Sequence, residues 1–155
     1  SMKKLIAILL TFVLTGCGFK VVQNSSFNNF SISDINTEGD KRINFSLKNK
    51  LSLASAESVN KLIQISLKTN KDKQVKERNI KNEITKYQIK ITVNVTCTEI
   101  SNGSEFEFSK SKTGDYSVSN QYSRTLSNEK KLVELLTNNI ADQILNELTT
   151  KLNAL

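Results

Sequence analysis

Leucine and isoleucine recur at every fourth position near the end of the chain, which is the spacing of residues on one face of an α-helix. The positions are Leu132, Leu136, Ile140, Ile144, Leu148 and Leu152. This pattern predicts a core-facing helix of about 26 residues with Ser127 as its N-cap. A narrower stripe with the same spacing, from Ile43 to Leu51, predicts an earlier helix from Lys41 to Ala54.

Apolar and polar residues alternate in the middle of the chain, as expected of strands that bury one face. The clearest alternation runs from Tyr87 to Cys97, where every second residue is apolar. The charged stretch from Thr69 to Lys76 is predicted to be a turn, and Ser101 to Ser104 is a hairpin signal. The predicted strands are Phe30 to Ile35, Val59 to Lys71, Arg78 to Glu99 and Glu105 to Lys110, with Thr113 to Ser123 also extended.

The element order is therefore β-α-β-β-β-α within one domain, residues 30–155. The apolar faces of two amphipathic helices and of the strands are buried together when both helices pack on a single face of a sheet. We predict an α+β fold with a four-stranded, mostly antiparallel sheet and two helices packed on one face. The polar face of the strand from Tyr87 to Cys97 then meets water or a polar surface.

The N-terminal region has the three parts of an export signal. Lys3 and Lys4 are followed by ten apolar residues, Leu5 to Leu14, which span only about 15 Å as a helix and are too few to cross a bilayer. The segment Leu14-Thr15-Gly16-Cys17 places small residues before a cysteine, as in a lipoprotein cleavage site. We interpret residues 1–16 as a signal peptide; an ordinary signal peptide with a chance cysteine is the alternative.

Cys17 is then the first residue of the mature chain and carries the covalent lipid. Several acyl chains anchor a protein stably, whereas one binds only marginally. Residues 17–29 are mostly polar and form a predicted tether between the membrane and the domain. Gly18 replaces the aspartate that retains many lipoproteins in the inner membrane, so we expect outer-membrane sorting.

The residue types argue against an enzyme. The chain contains no histidine, which removes the usual base for a serine or cysteine nucleophile and a common zinc ligand. Cys97 shares the apolar face of its strand and is predicted to be a buried, inert thiol. Apart from the lipid on Cys17, we expect no cofactor and no metal.

Basic residues concentrate between Lys68 and Lys90. They are Lys68, Lys71, Lys73, Lys76, Arg78, Lys81, Lys86 and Lys90, opposed there only by Asp72, Glu77 and Glu83. A basic exported surface suggests an acidic partner such as anionic lipid or polysaccharide, whereas nucleic acid lies in the wrong compartment. The alternative is that these charges only keep an exposed hairpin soluble.

A short strand motif behind the Cys17-Gly18-Phe19 start resembles a known family. The segments Tyr87-Gln88, Thr92-Val93-Asn94 and Thr96 are similar to the central strand of the lipopolysaccharide-assembly lipoproteins of the LptE family. The resemblance implies an outer-membrane lipoprotein that plugs the LptD β-barrel, with which it inserts lipopolysaccharide into the outer leaflet.

The resemblance also assigns candidate sites. The polar strand residues Gln88, Thr92 and Asn94 would contact the barrel. Basic residues would bind lipopolysaccharide, and the candidates are Lys76, Arg78, Lys81 and Lys90. A lysine-bearing position before the last helix of the family falls at Leu126 here, a departure from the family pattern, although the basic residue Arg124 is nearby.

A second interpretation is a stand-alone lipid- or glycan-binding lipoprotein that serves a lipid transporter. The two interpretations differ in the surface they need. A barrel plug needs a flat polar strand face without a pocket, whereas a lipid-binding protein needs a deep apolar pocket.

We predict that Cys17→Ser abolishes lipidation and leaves the protein unprocessed or mislocalised, because the thiol itself forms the thioether to diacylglycerol. Mass spectrometry of the membrane-bound protein measures the modification. A mature N-terminus that is unmodified, or that begins at another residue, would contradict this assignment.

Overall fold

The computed structural model describes residues 30–55 and 61–154. The predicted element order is confirmed. The elements are β1 (Phe30–Gly39), α1 (Lys41–Leu53), β2 (Lys61–Arg78), β3 (Ile84–Glu99), β4 (Glu105–Ser117) and α2 (Tyr122–Asn153). The predicted signal peptide, the tether and Cys17 lie outside the described residues.

The four strands form one sheet in the order β1-β2-β3-β4. β1 pairs with β2 in parallel, and the two later pairings are antiparallel. A parallel pair needs a crossover connection, and α1 supplies it. The structure is therefore an α+β fold with a mixed, mostly antiparallel sheet, as predicted.

Both helices pack on the same face of the sheet, where the alternating apolar residues of β2 and β3 point. Ile63, Ile65 and Leu67 of β2 are fully buried. So is the row of apolar residues on β3, from Ile89 to Cys97 at alternate positions. The predicted apolar stripe of α2, from Leu136 to Leu152, covers this row. The core is thus a single layer between one sheet face and two helices.

The helix α1 begins at Lys41 as predicted, ends at Leu53 with Ala54 as its C-cap, and has a side-chain cap at its N-terminus. The Asp40 carboxylate accepts a hydrogen bond of 3.0 Å from the backbone N–H of Ile43, which satisfies a free donor of the first turn. Asn44 is buried beside the core, where its side-chain oxygen accepts a 2.8 Å hydrogen bond from the Thr69 hydroxyl. This bond fixes α1 against β2.

The long helix α2 begins earlier than predicted. It starts at Tyr122, and its flanking residue Gln121 makes no side-chain capping bond, so Ser127 is not the N-cap. The Thr125 hydroxyl instead accepts a 2.8 Å bond from the Ser119 N–H and closes the turn before the helix. The first turns bury few apolar residues, so the hydrophobic period does not reveal them.

The predicted charged turn is also wrong. Residues Thr69 to Val75 continue β2 and pair with β3, and the turn lies at Asn79 to Glu83 instead. Exposed charges are compatible with a strand when opposite charges face each other, as Asp72 faces Lys90 here. β3 accordingly begins at Ile84 rather than Arg78.

The predicted extended segment after Lys110 is divided between two elements. Its first part continues β4 through Gly114 to Ser117, and its last two residues open α2. Gly114 allows this continuation, because a Cβ there would lie 2.6 Å from Leu132 Cδ1 of the helix above. The absence of a side chain lets α2 lie close to the strand.

We predict that Gly39→Ala destabilises the protein much more than Gly103→Ala. Both glycines have positive φ, +102° and +69°, which costs an L-residue about 1–2 kcal/mol. A Cβ at Gly39 would in addition overlap the backbone carbonyl of Thr69, whereas one at Gly103 meets nothing within 4 Å. Urea unfolding measures both free energies. Equal losses would contradict the steric argument.

Candidate functional site

The face of the sheet opposite the helices is polar and open. The candidate barrel-contacting residues Gln88, Thr92 and Asn94 all lie on it, at alternate positions of β3. Gln88 donates a 3.1 Å hydrogen bond to Asp115, and the Thr92 and Ser111 hydroxyls lie 3.2 Å apart. Among the described residues, no helix packs on this face, so the three candidates share one continuous surface.

The charge of this open face is slightly acidic along β2, β3 and β4. Its carboxylates are Asp72, Glu77, Glu105, Glu107 and Asp115, and its lysines are Lys68, Lys86 and Lys90. Lys90, a candidate for lipopolysaccharide binding, faces Asp72 directly across the β2–β3 pair. An opposing carboxylate weakens the attraction of that lysine for a phosphate.

Carboxylates from the hairpin itself and from two other elements neutralise part of the basic hairpin. The ammonium nitrogen of Lys68 lies 3.4 Å from a carboxylate oxygen of Glu38. The corresponding distances are 2.9 Å for Lys73 and Glu129 and 2.9 Å for Lys86 and Glu77. The hydrogen bond to Glu77 raises the pKa of Lys86. The hairpin is thus less positive than its own sequence indicates, because Glu38 and Glu129 come from β1 and α2.

The four candidate basic residues do not form one cluster. Arg78 and Lys81 lie at the turn of the β2–β3 hairpin, and Lys76 lies at the register shift between Val75 and Glu77. Arg78 pairs with Ile84, and Lys90 follows Ile84 by six residues along β3. The backbone of Lys90 is therefore about 20 Å from that of Arg78 along the strand direction. The structure therefore groups three candidates at the hairpin end and separates the fourth.

The hairpin turn is held by its own side chains. The Asn79 side-chain oxygen accepts from the N–H groups of Lys81 (2.9 Å) and Glu83 (3.0 Å). Arg78 donates to the carbonyl of Asn82, which has the positive φ of 64°. This turn presents Ile80 with its side chain fully exposed. The sequence analysis did not single out Ile80, because one apolar residue between polar ones gives no periodic signal.

A compact network fastens the hairpin to α2. The Lys73 ammonium lies 4.5 Å from the centre of the Tyr87 ring and 5.5 Å from that of Tyr116. The Tyr116 hydroxyl donates a 2.8 Å hydrogen bond to Glu129, which also pairs with Lys73. The two rings stack with centres 5.6 Å apart. These contacts fix the hairpin where the apolar core ends.

The pKa values of the network reflect these contacts. Interaction with the Tyr116 hydroxyl and then with Glu129 raises the pKa of Lys73, despite some desolvation. Partial burial favours the protonated form of Glu129, yet the hydrogen bonds from Lys73 and Tyr116 prevail and lower its pKa. Both groups are therefore charged at neutral pH, and their attraction is strongest there.

A groove of about 910 Å³ lies between α1 and α2, on the side of the sheet away from the polar face. Ile43, Phe45, Leu126 and Val133 give it apolar walls, and its other lining residues include Lys41, Arg42, Lys71, Lys130, Glu129 and Glu134. The Phe45 side chain is 69% exposed. The polar strand face contributes no residue to this groove.

Comparison with known families decides the assignment. A family model described as LptE, lipopolysaccharide-assembly, matches residues 21–148. The chain belongs to the LptE family. The resemblance found in the strand from Tyr87 to Thr96 is thereby confirmed, and the family is one of non-enzymatic assembly lipoproteins. No curated protein sequence matches the chain significantly.

Solved lipoprotein structures share the fold. Rare lipoprotein B from Shewanella oneidensis is 15% identical with a TM-score of 0.61, and the match covers 82% of this chain and 98% of that one. A putative lipoprotein from Caulobacter crescentus is 14% identical with a TM-score of 0.60, covering 83% and 93%. Lipoprotein B from Nitrosomonas europaea is 15% identical with a TM-score of 0.56, covering 88% and 94%.

The remaining sequence candidates give no sign of reactive chemistry in this LptE-family member. Cys97 is buried, and burial raises the pKa of its thiol to about 11, so the thiolate is scarce at neutral pH. Within residues 30–55 and 61–154, no group of three or more potential metal ligands is found. Over the same residues, no helix is long and apolar enough to cross a membrane.

We predict that Glu129→Gln destabilises the protein at pH 7 and has little effect in acid. The lowered pKa of Glu129 means that its contribution is present at neutral pH and is lost as the pH falls through that pKa. Urea unfolding of parent and variant between pH 7 and pH 3 measures the difference. Glu134→Gln, the same change at an exposed carboxylate of α2, is the matched control and should show no such pH dependence. A pH-independent difference for Glu129→Gln would contradict the electrostatic explanation.

Proposed function

We propose that this protein is the lipid-anchored outer-membrane subunit of the lipopolysaccharide assembly machinery, and that it plugs a β-barrel of the LptD type. The family match over residues 21–148 carries the proposal. Cys17, outside the described residues, would hold the membrane lipid on the periplasmic side. Two structural features, the open polar face and the length of the β2–β3 hairpin, support the plug role.

The first supporting feature is the open polar face. Strands of a membrane barrel alternate lipid-facing and lumen-facing residues, so the lumen wall is polar. A folded plug must therefore present polar groups to that wall. Gln88, Thr92 and Asn94 lie on such a surface, and no described helix covers it. We assign these residues to the barrel contact.

The second supporting feature is the length of the β2–β3 hairpin. β1 begins beside Lys61, and β2 then runs 18 residues to Arg78. Its far end is roughly 55–60 Å from the start of the domain, compared with about 40–45 Å for a whole bilayer. Inside a barrel lumen, the hairpin turn could reach the leaflet opposite the lipid anchor. We therefore assign lipopolysaccharide binding to the hairpin end, at Lys76, Arg78 and Lys81.

The alternative function, a stand-alone lipid-binding lipoprotein, is favoured by one observation. The groove between α1 and α2 combines apolar walls with the basic residues Lys41, Arg42 and Lys130 at its rim. Such a lining suits an amphiphile with an anionic headgroup. The groove is also lined by Asp40, Glu129 and Glu134, so acidic residues offset most of its positive charge.

We predict that a tagged chain co-purifies from a mild-detergent outer-membrane extract with a large β-barrel in one-to-one stoichiometry. Obligate interfaces bury more than about 2,000 Å² and survive such extraction. The double variant Thr92→Arg and Asn94→Arg should lose the barrel, because two charges enter the open face. Asn139→Arg and Asn146→Arg, at exposed α2 positions, are the matched control. Recovery of the parent chain alone would favour the lipid-binding alternative.

We predict that reversing Lys76, Arg78 and Lys81 to Glu weakens binding to purified lipopolysaccharide and removes much of its salt dependence. Exposed charges contribute under about 1 kcal/mol each to stability, so the variant should fold, as circular dichroism would verify. The comparison variant reverses Lys41, Arg42 and Lys130 at the groove. Loss of binding in the groove variant alone would assign the ligand to the groove instead.

A further inference from the structure

The strand β4 forms one edge of the sheet. It pairs with β3 along all 13 of its residues, from Glu105 to Ser117. Within the part of the chain that the structure describes, no strand lies on its other side. One long side of β4 is therefore available for backbone pairing.

The hydrogen bonds at the two ends of the β3–β4 pair identify the free backbone groups. Val118 donates to the carbonyl of Thr85, and Ser104 accepts from the N–H of Glu99. Residues of an antiparallel strand alternate in the neighbour they face, so even-numbered residues of β4 bond to β3. Odd-numbered residues, from Glu105 to Ser117, direct their N–H and C=O groups outward. Their side chains are all exposed on the open polar face.

This edge lacks three of the features that block pairing at free strand edges, and its protection consists of charged side chains, which include Lys110 and Lys112 on its helix-facing side. Proteins commonly interrupt free edges with bulges, prolines or very short strands. The β3–β4 pairing has no register shift, and the chain contains no proline. The free part of β2 beyond Thr69 differs, because its register shifts twice between Val75 and Arg78. β4 is thus the regular edge of this sheet.

The charges on β4 disfavour the full-length pairing of β4 with that of a second copy, the register in which all 13 residues from Glu105 to Ser117 overlap. An antiparallel pair of β4 strands centred on Ser111 would place Glu107 opposite Asp115 and Lys110 opposite Lys112. Like charges that face each other across a strand pair are destabilising. A strand with lysine or arginine opposite Glu107 and Asp115, and with a carboxylate opposite Lys112, meets attraction instead.

We propose that the outer edge of β4 binds an extended segment of another protein, which adds an antiparallel fifth strand with basic residues over Glu107 and Asp115. Backbone bonds to the odd-numbered residues would supply affinity, and the facing charges would select the segment. This inference goes beyond the proposed function and does not depend on a barrel partner.

The test uses the full chain in detergent micelles, labelled with ¹⁵N, and the capped synthetic peptide KVTETETVK. Paired with residues 107–115, this peptide places lysines over Glu107 and Asp115 and glutamates over Lys110 and Lys112. We expect slowed solvent exchange of the odd-numbered β4 amides on peptide addition, with little change at the even-numbered amides that β3 already protects. The charge-reversed peptide EVTKTKTVE should bind about tenfold more weakly.

The variant pair Ser109→Pro and Ser109→Ala separates backbone pairing from side-chain contact. Proline removes only an outward N–H and is tolerated at strand edges, so it should abolish the peptide effect while the β3–β4 amides stay protected. Alanine keeps the N–H and should bind like the parent. Unchanged exchange at the odd-numbered amides with excess peptide would overturn the proposal. So would odd-numbered amides that are already protected in the chain alone, by its own residues or by a second copy.

Discussion

The strict alternation of apolar and polar residues along β2 and β3 is the constraint on which the rest of the structure depends. It directs Ile63, Ile65 and Leu67 of β2 and the row from Ile89 to Cys97 of β3 to one face, where α1 and α2 bury them. Because both helices are needed to cover that face, no described helix remains for the other. The open polar face, where barrel contact is proposed, is a direct consequence of how the core is built.

The outer half of the hairpin is stabilised differently. Beyond Thr69 the helix-facing positions of β2 are Lys71 and Lys73 rather than isoleucine or leucine. A buried row would be impossible there, since a lysine must keep its ammonium hydrated or paired. Stacked tyrosines and the Lys73–Glu129 pair replace apolar packing and keep the hairpin aligned with α2. The outer half of the hairpin is thus held against α2 with little apolar packing, and Val75 and Ile80 are the large apolar side chains that it leaves exposed.

Charge in this protein is organised by contacts across the fold rather than along the chain. The basic residues counted between Lys68 and Lys90 are divided between the two sheet faces and the turn. Glu38 of β1 and Glu129 of α2 then neutralise lysines from which they are distant in sequence. The unpaired charge that remains for an anionic ligand is concentrated at the hairpin end, beside the fully exposed Ile80.

The sequence by itself determined the fold class, the element order, the buried faces of β2 and β3 and the family, because hydrophobic period and motif are local properties. In β1 a register shift between Ile32 and Asp34 breaks the predicted alternation and buries Ile35. The sequence misplaced the turn before Ile84 and the start of α2, since exposed charged residues carry no period. It could not show that Lys90 is far from Arg78, nor that β4 has a free regular edge. Those features depend on strand register and on which strands are neighbours, and only the tertiary structure decides them.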